Sequence, residues 1–410
     1  MHYPFASLSE KPRIQNVLNT LVAALWLTAL LIVCVRVVRS YPQHDVFVTY
    51  VDAGRRWIQS QPLYLTTRGF VYSPLIAACF APFSWLPASL GAVLWRLLNA
   101  AVFCWAIMRW LKTQLHNGIP TTAAWLVLLL LLPLAIGNLN NGQVNPLIIG
   151  LLMLSISAAY SGQWTIAALC LGISAYIKIY PLAVGLLLVL LYPRQLGWRL
   201  AAILVLLGAL SFILQQPAYV FEQYQRWFAS RAADNRRANM DIAPRDFIML
   251  LRTVHINLSG YAVVGLQVLA GAGAAAICVL GQLWKWSEEQ LLICVLSLGT
   301  CWMLLFGPST EAATYVMLAP PLVLAMVQSF HQSRYPAMRL WICACYAVLL
   351  LGSLMNSFLS LKKGVYTMSV QPFGGLLFAG YVLTWLMMPS LWNTLGQNRL
   401  AKARRTWTAG

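Results

Sequence analysis

VLNTLVAALWLTALLIVCVRVVRSYPQHD, residues Val17 to Asp45, decides the fold class. No charge occurs before Arg36, and about 20 apolar residues at roughly 1.5 Å each are enough to cross the hydrocarbon layer of a bilayer. Arg36, Arg39 and Asp45 follow at once, so a charged patch sits directly beyond a membrane span. The whole chain repeats this contrast: of 410 residues, 60% are hydrophobic and 9% charged, against about a quarter charged in a soluble domain. A soluble enzyme is excluded. The few charges are lopsided, 28 Lys plus Arg against 10 Asp plus Glu, for a formal +18. In a basic membrane protein the positions of sparse charges report function.

Twelve apolar runs can span, near residues 17–38, 88–111, 121–137, 144–160, 164–178, 180–192, 198–215, 260–282, 288–306, 312–329, 336–357 and 372–392. The expectation is an all-α polytopic membrane protein, a single integral membrane domain over 1–410. The runs near 164–192 are short and broken by Pro181, which signals irregular backbone buried in protein or lining a cavity. The nine cysteines fall almost entirely inside apolar runs without CxxC or Cys/His spacing, so neither a disulfide framework nor a metal site is implied. The first span reads as a retained anchor, not a cleaved signal peptide.

Short-loop Lys and Arg orient the chain. Lys11 and Arg13, Arg109 and Lys112, Arg194 and Arg199, Arg334 and Arg339, and the basic tail 393–410 all fall on one side of a twelve-span threading, read as cytoplasmic. Residues 39–87 then form a first outer loop and 216–259 a second. Ser73 to Pro87, apolar but short and carrying three prolines, is read as juxtamembrane or re-entrant, because a crossing would flip every later loop. The outer loops hold eleven arginines (36, 39, 55, 56, 68, 226, 231, 236, 237, 245 and 252). Inverted orientation is one explanation, although it would expose five short basic segments. The other is anion handling, since the guanidinium fork suits phosphate.

Seven of the ten acids share that outer side: Asp45, Asp52, Glu222, Asp234, Asp241, Asp246 and Glu311. Asp45, at the membrane lip, reads as a general base for a hydroxyl or as an interfacial acid paired with Arg39 or Arg55. Asp52 is a second base candidate or the partner of Arg56. The turn GNLNNGQVN (Gly137 to Asn145) offers Asn141, Gln143 and Asn145 to sugar hydroxyls or phosphate, or supplies ordinary caps. Lys178, just before Pro181, holds a lipid phosphate or snorkels to the surface. Glu311 sits at an expected helix start with Ser309 or Thr310 as caps, serving catalysis or only the helix dipole. Arg231 to Phe247 reads as a lid over an anionic headgroup or as a solvated loop. Interfacial belts account for most of the tryptophans and tyrosines, and sugar stacking by Trp57, Tyr64 or Trp227 is not indicated.

With these residues in view the chain resembles glycosyltransferase family 87, the polyprenyl-phosphate-mannose-dependent alpha-mannosyltransferases of the GT-C superfamily. The likeness lies in Asp45 followed by Tyr50 and Ala53-Gly54-Arg55, then QPLY (Gln61 to Tyr64), FVYSPL (Phe70 to Leu75), Pro82 with Leu86-Pro87, NGQVN (Asn141 to Asn145) and IKIYPL (Ile177 to Leu182). It covers residues 40–200 and weakens beyond 216, where GPSTEAATY stands in place of a Trp- and His-rich stretch in many relatives.

The resemblance implies a GT-C fold of about twelve spans. It implies inverting transfer of a hexose, mannose foremost, from a polyprenyl-phosphate donor to a hydroxyl of a lipid-linked or glycan acceptor, without a cofactor. Asp45 would be the base. Lys178, Arg55, Arg236 and Arg237 would hold the donor phosphate, and Asp52, Tyr72, Asn141, Gln143, Asn145, Tyr180 and Glu311 the substrates. The expected partners are the donor, the acceptor and the bilayer of a cell membrane, with both termini cytoplasmic and no nucleic acid. A flippase of lipid-linked sugars and an inactive accessory relative are the other readings. The first would need polar groups continuing across the membrane.

Overall fold

The computed structural model describes residues 12–40, 45–65, 69–113, 123–234, 236–308, 310–332, 335–357 and 364–388, and all its regular elements are helical. Lys11, Arg68, Ser309, Arg334 and the tail 393–410 lie outside the described residues. The expected spans appear as α1 (Pro12–Ser40), α4 (Ala88–Lys112), α5 (Ala124–Asn140), α6 (Asn145–Tyr160), α7 (Trp164–Ile177), α8 (Leu182–Leu191), α9 (Trp198–Leu214), α12 (Gly260–Leu283), α13 (Glu288–Leu305), α14 (Ala319–Gln332), α15 (Pro336–Ser357) and α16 (Val365–Met387). Between them lie α2 (Phe47–Ile58), α3 (Pro74–Phe80), α10 (Pro217–Ala232) and α11 (Phe247–Thr253). The chain is an all-α polytopic membrane protein.

Two boundaries differ from expectation. The last span begins at Val365 and carries Pro372 inside it; a single proline in an apolar helix is tolerated where neighbouring groups take up the freed carbonyl. The run near 312–329 opens as a 3-10 segment, Ala312–Leu318, before α14.

Among the described residues eight helices are long and apolar enough to cross a membrane, counting the 3-10 lead of α14 and the π-helical turn Pro193–Gly197 that leads α9. The other four, α5 to α8, are consecutive, and they place the site. α7 and α8 form an antiparallel hairpin: the ring of Trp164, at the start of α7, lies 5.0 Å from that of Tyr192, just past the end of α8. At that end Tyr160, Trp164 and Tyr192 form an aromatic belt beside Glu288, whose carboxylate accepts from the Tyr192 hydroxyl at 3.3 Å. Such groups mark a membrane–water boundary. From there α7, with 14 residues, rises about 21 Å and α6, with 16, about 24 Å. The hydrocarbon layer is about 30 Å thick. The opposite turns, Asn138–Asn145 and Lys178–Pro181, therefore stand closer to that belt than a full hydrocarbon thickness.

Beside these turns lie the two polar stretches. α2 is amphipathic and buries Phe47, Tyr50, Val51, Gly54 and Trp57, spaced three or four apart. It crosses α3 at Gly54, where an added Cβ would lie 2.7 Å from the Phe80 carbonyl carbon and oxygen. α3 and the 3-10 segment Ala81–Trp85 extend about 20 Å at most, less than the hydrocarbon thickness. Hydrogen bonds join the first stretch to the second: Gln223 Oε1 accepts from Leu63 N at 2.9 Å, Tyr219 donates to Gln61 O at 2.7 Å and Trp227 to Val71 O at 3.1 Å, and just before the second stretch Gln215 donates to Trp57 O at 2.9 Å.

Because backbone at the α2–α3 crossing cannot yield as a side chain would, Gly54→Ala is expected to destabilise the protein by about 1–3 kcal/mol. A melt of the purified protein in detergent would show a lowered midpoint; an unchanged midpoint would mean the crossing is looser than described.

Candidate active site

Asp45 sits two residues before α2, separated from it by Val46, and its partner is neither Arg39 nor Arg55. Arg96, one residue after Trp95 on α4, donates from Nη2 to Asp45 Oδ2 at 2.8 Å, with side chains 1% and 6% exposed respectively. Asp45 Oδ1 accepts from Phe47 N at 3.0 Å. Two of the four lone-pair positions of the carboxylate are thus used, and the others can take a hydroxyl.

The amide-rich turn anchors this pair through its backbone. Its consecutive carbonyls of Asn140, Asn141 and Gly142 accept from Arg96 Nη2 (3.0 Å), Val46 N (3.2 Å) and Trp95 Nε1 (2.9 Å). Gly142 has φ +64, which an L-residue adopts at a cost of roughly 1–2 kcal/mol. A Cβ there would also lie 2.5 Å from Asp45 Oδ1. Only glycine lets the turn pass this close to the carboxylate.

The same turn reaches the short hairpin. Asn145 Oδ1 accepts from Lys178 Nζ at 2.8 Å, while Asn145 Nδ2 donates to Asn138 Oδ1 at 3.2 Å. Lys178 lies 5.6 Å from the Tyr180 ring centroid, and Tyr180 is buried. Asn145 is therefore the lysine's tether. Gln143 is buried and Asn141 half-buried.

Glu311 approaches from the α13–α14 connection. Its backbone N donates to Thr314 Oγ1 at 3.1 Å, so Glu311 itself stands at the cap position. The expected capping by Thr310 is not seen, because that hydroxyl donates instead to Met303 O at 3.3 Å. The Glu311 carboxylate, 57% exposed, accepts from Arg236 Nη1 at 3.1 Å. Its charge also acts on Lys178, Tyr72, Tyr180 and Arg245, which gathers these groups into one electrostatic neighbourhood. Tyr72 and Tyr50 share a 3.0 Å hydrogen bond, and burial pushes both phenols well above their ordinary range, so they stay protonated.

The structure thus assembles Lys178, Tyr72, Tyr180, Asn145, Glu311 and Arg236, with Asp45 bound to the same turn. Asp52 and Arg55 lie outside this cluster. Asp52 is exposed and pairs with Arg56 at 2.8 Å one turn along α2, and Arg55 is exposed. Arg237 is committed to buried Asp246, whose carboxyl burial raises and Arg237 lowers, and which also caps α11. Trp57, Tyr64 and Trp227 are buried struts. Arg96, Gly142 and Gln223 are not singled out by the sequence reading. For Arg96 a signal existed: an arginine inside an otherwise apolar helix is paired or functional by default.

Comparison with known proteins adds two findings. The sequence profile described as Glycosyltransferase family 87 matches residues 70–308, more than half of the chain. "GPI mannosyltransferase 1" of Trypanosoma brucei brucei (strain 927/4 GUTat10.1) is 26% identical over 155 residues, which are 37% of this chain. The match spans 34% of that relative's length.

Proposed function

Since the chain belongs to glycosyltransferase family 87, we propose that it transfers a hexose, mannose in our reading, from a polyprenyl-phosphate donor to a hydroxyl of a lipid-linked or glycan acceptor. The observation that carries this reading is the amide-rich turn at the ends of the short helices, which anchors the buried Asp45 carboxylate on one side and tethers Lys178 on the other; we read it as a recess below the membrane surface. A sugar phosphate on a lipid tail reaches that depth laterally, and a water-soluble nucleotide sugar does not.

In the reaction the acceptor oxygen attacks the anomeric carbon and its proton passes to Asp45. The bond from that carbon to the phosphate oxygen breaks with inversion, and the departing lipid phosphate is stabilised by Lys178 and Arg236. Tyr72, Tyr180, Asn141 and Gln143 line the approach as neutral hydrogen-bonding groups. The site face is the outer leaflet of a cell membrane in this reading, with both termini cytoplasmic. Exposure favours a second assignment of the base: Glu311 is far more open than Asp45 and lies nearer in charge to Lys178.

The test is transfer by the purified full-length protein in lipid, from radiolabelled polyprenyl-phosphate mannose to a panel of glycolipid and glycan acceptors. Appearance of a labelled glycolipid or glycan supports the reading. Movement of donor across the bilayer without any labelled product would replace it with transport.

A further inference from the structure

Arg96 is the most deeply buried charge of the site, 1% exposed inside a membrane-spanning helix. Its guanidinium makes three directed contacts. Nη1 donates to Ala92 O at 2.9 Å, one turn back on α4, and Nη2 donates both to Asp45 Oδ2 at 2.8 Å and to Asn140 O at 3.0 Å. One nitrogen therefore measures the separation between the Asp45 carboxylate and the amide-rich turn. Trp95, the preceding residue, holds the Gly142 carbonyl of that turn, and Gly142, having no Cβ, lets the turn pass close beside Asp45 Oδ1. A pair serving stability alone would need charge balance but not this geometry, and a hydrophobic pair would serve the bundle at least as well.

We infer that Arg96 is a positioning residue for the transfer reaction, holding the Asp45 carboxylate in fixed orientation by spanning it and the Asn140 carbonyl from α4. This rests on the reading of Asp45 as the base. Among the described residues Arg96 is the side chain that donates to the Asp45 carboxylate, so removing it frees that carboxylate to turn.

The experiment compares R96Q, R96K and D45N with the wild type in lipid, measuring kcat and donor KM per folded molecule, with a melt as the folding check. R96Q is expected to lower kcat about a hundredfold at nearly constant donor KM. R96K should recover part of kcat but not all of it, because an ammonium lacks the fork. If R96Q does not fold, R96K decides. Reduced kcat at unchanged KM supports the role, and wild-type kcat overturns it. Combining D45N with R96Q removes both charges and should recover the melting midpoint lost in R96Q without recovering activity. R96Q with wild-type kcat, while D45N is inactive, overturns the positioning role and leaves the base standing. An active D45N overturns the base reading itself.

Discussion

D45N should yield a folded, membrane-inserted protein whose transfer rate is lower by roughly 10²–10⁴-fold, the range a positioned general base contributes. The substitution is nearly isosteric, so the packing around Phe47 and Gly142 is preserved and one oxygen remains to accept a hydrogen bond. What disappears is the capacity to take a proton. The amide also turns a donor toward either Arg96 or the Phe47 N–H, both already donors to Asp45, so a lowered melting midpoint accompanies the loss. Activity must therefore be counted per folded molecule, from a monodisperse fraction, in a single-turnover assay. Full activity in D45N, with loss in E311Q instead, would move the base to Glu311, whose open carboxylate stands ready for that role.

Lys178→Met should be the second large effect. Methionine is unbranched and of similar length, so it can occupy the space without overpacking. The tether from Asn145 is lost, while the Asn145–Asn138 bond stays. If the ammonium stabilises charge on the departing lipid phosphate, kcat should drop about 10²–10³-fold, as for removal of one preorganised donor at a developing anion. Rates at saturating donor measure this; a value within about twofold of wild type would show that Arg236 alone carries the phosphate.

Much of this architecture was legible in the sequence because spans are local: hydropathy over about twenty residues suffices, and all twelve runs recur as apolar helices. The break before Pro181 was legible as well, since proline and short length act where they stand. The tyrosine and lysine motifs FVYSPL and IKIYPL pointed at residues that do converge. The roles of the amides were not legible. Asn145 ties down Lys178 and the Asn140 to Gly142 carbonyls anchor Asp45 and Arg96, while the spacing NGQVN is equally compatible with substrate contact.

An all-α membrane protein, its twelve apolar helices and the clustering of its acids and arginines in two polar stretches all follow from composition over short windows. Which charges meet is a matter of packing. Asp45 and Arg96 are 51 residues apart, Asn145 and Lys178 33, and Arg236 and Glu311 75. Such pairs depend on helix lengths and crossings, the four short helices and the approach at Gly54 above all. In a low-dielectric interior a charge is tolerable only beside its partner, so it is the packing that selects Arg96 for Asp45 and leaves Asp52 to Arg56 at the surface.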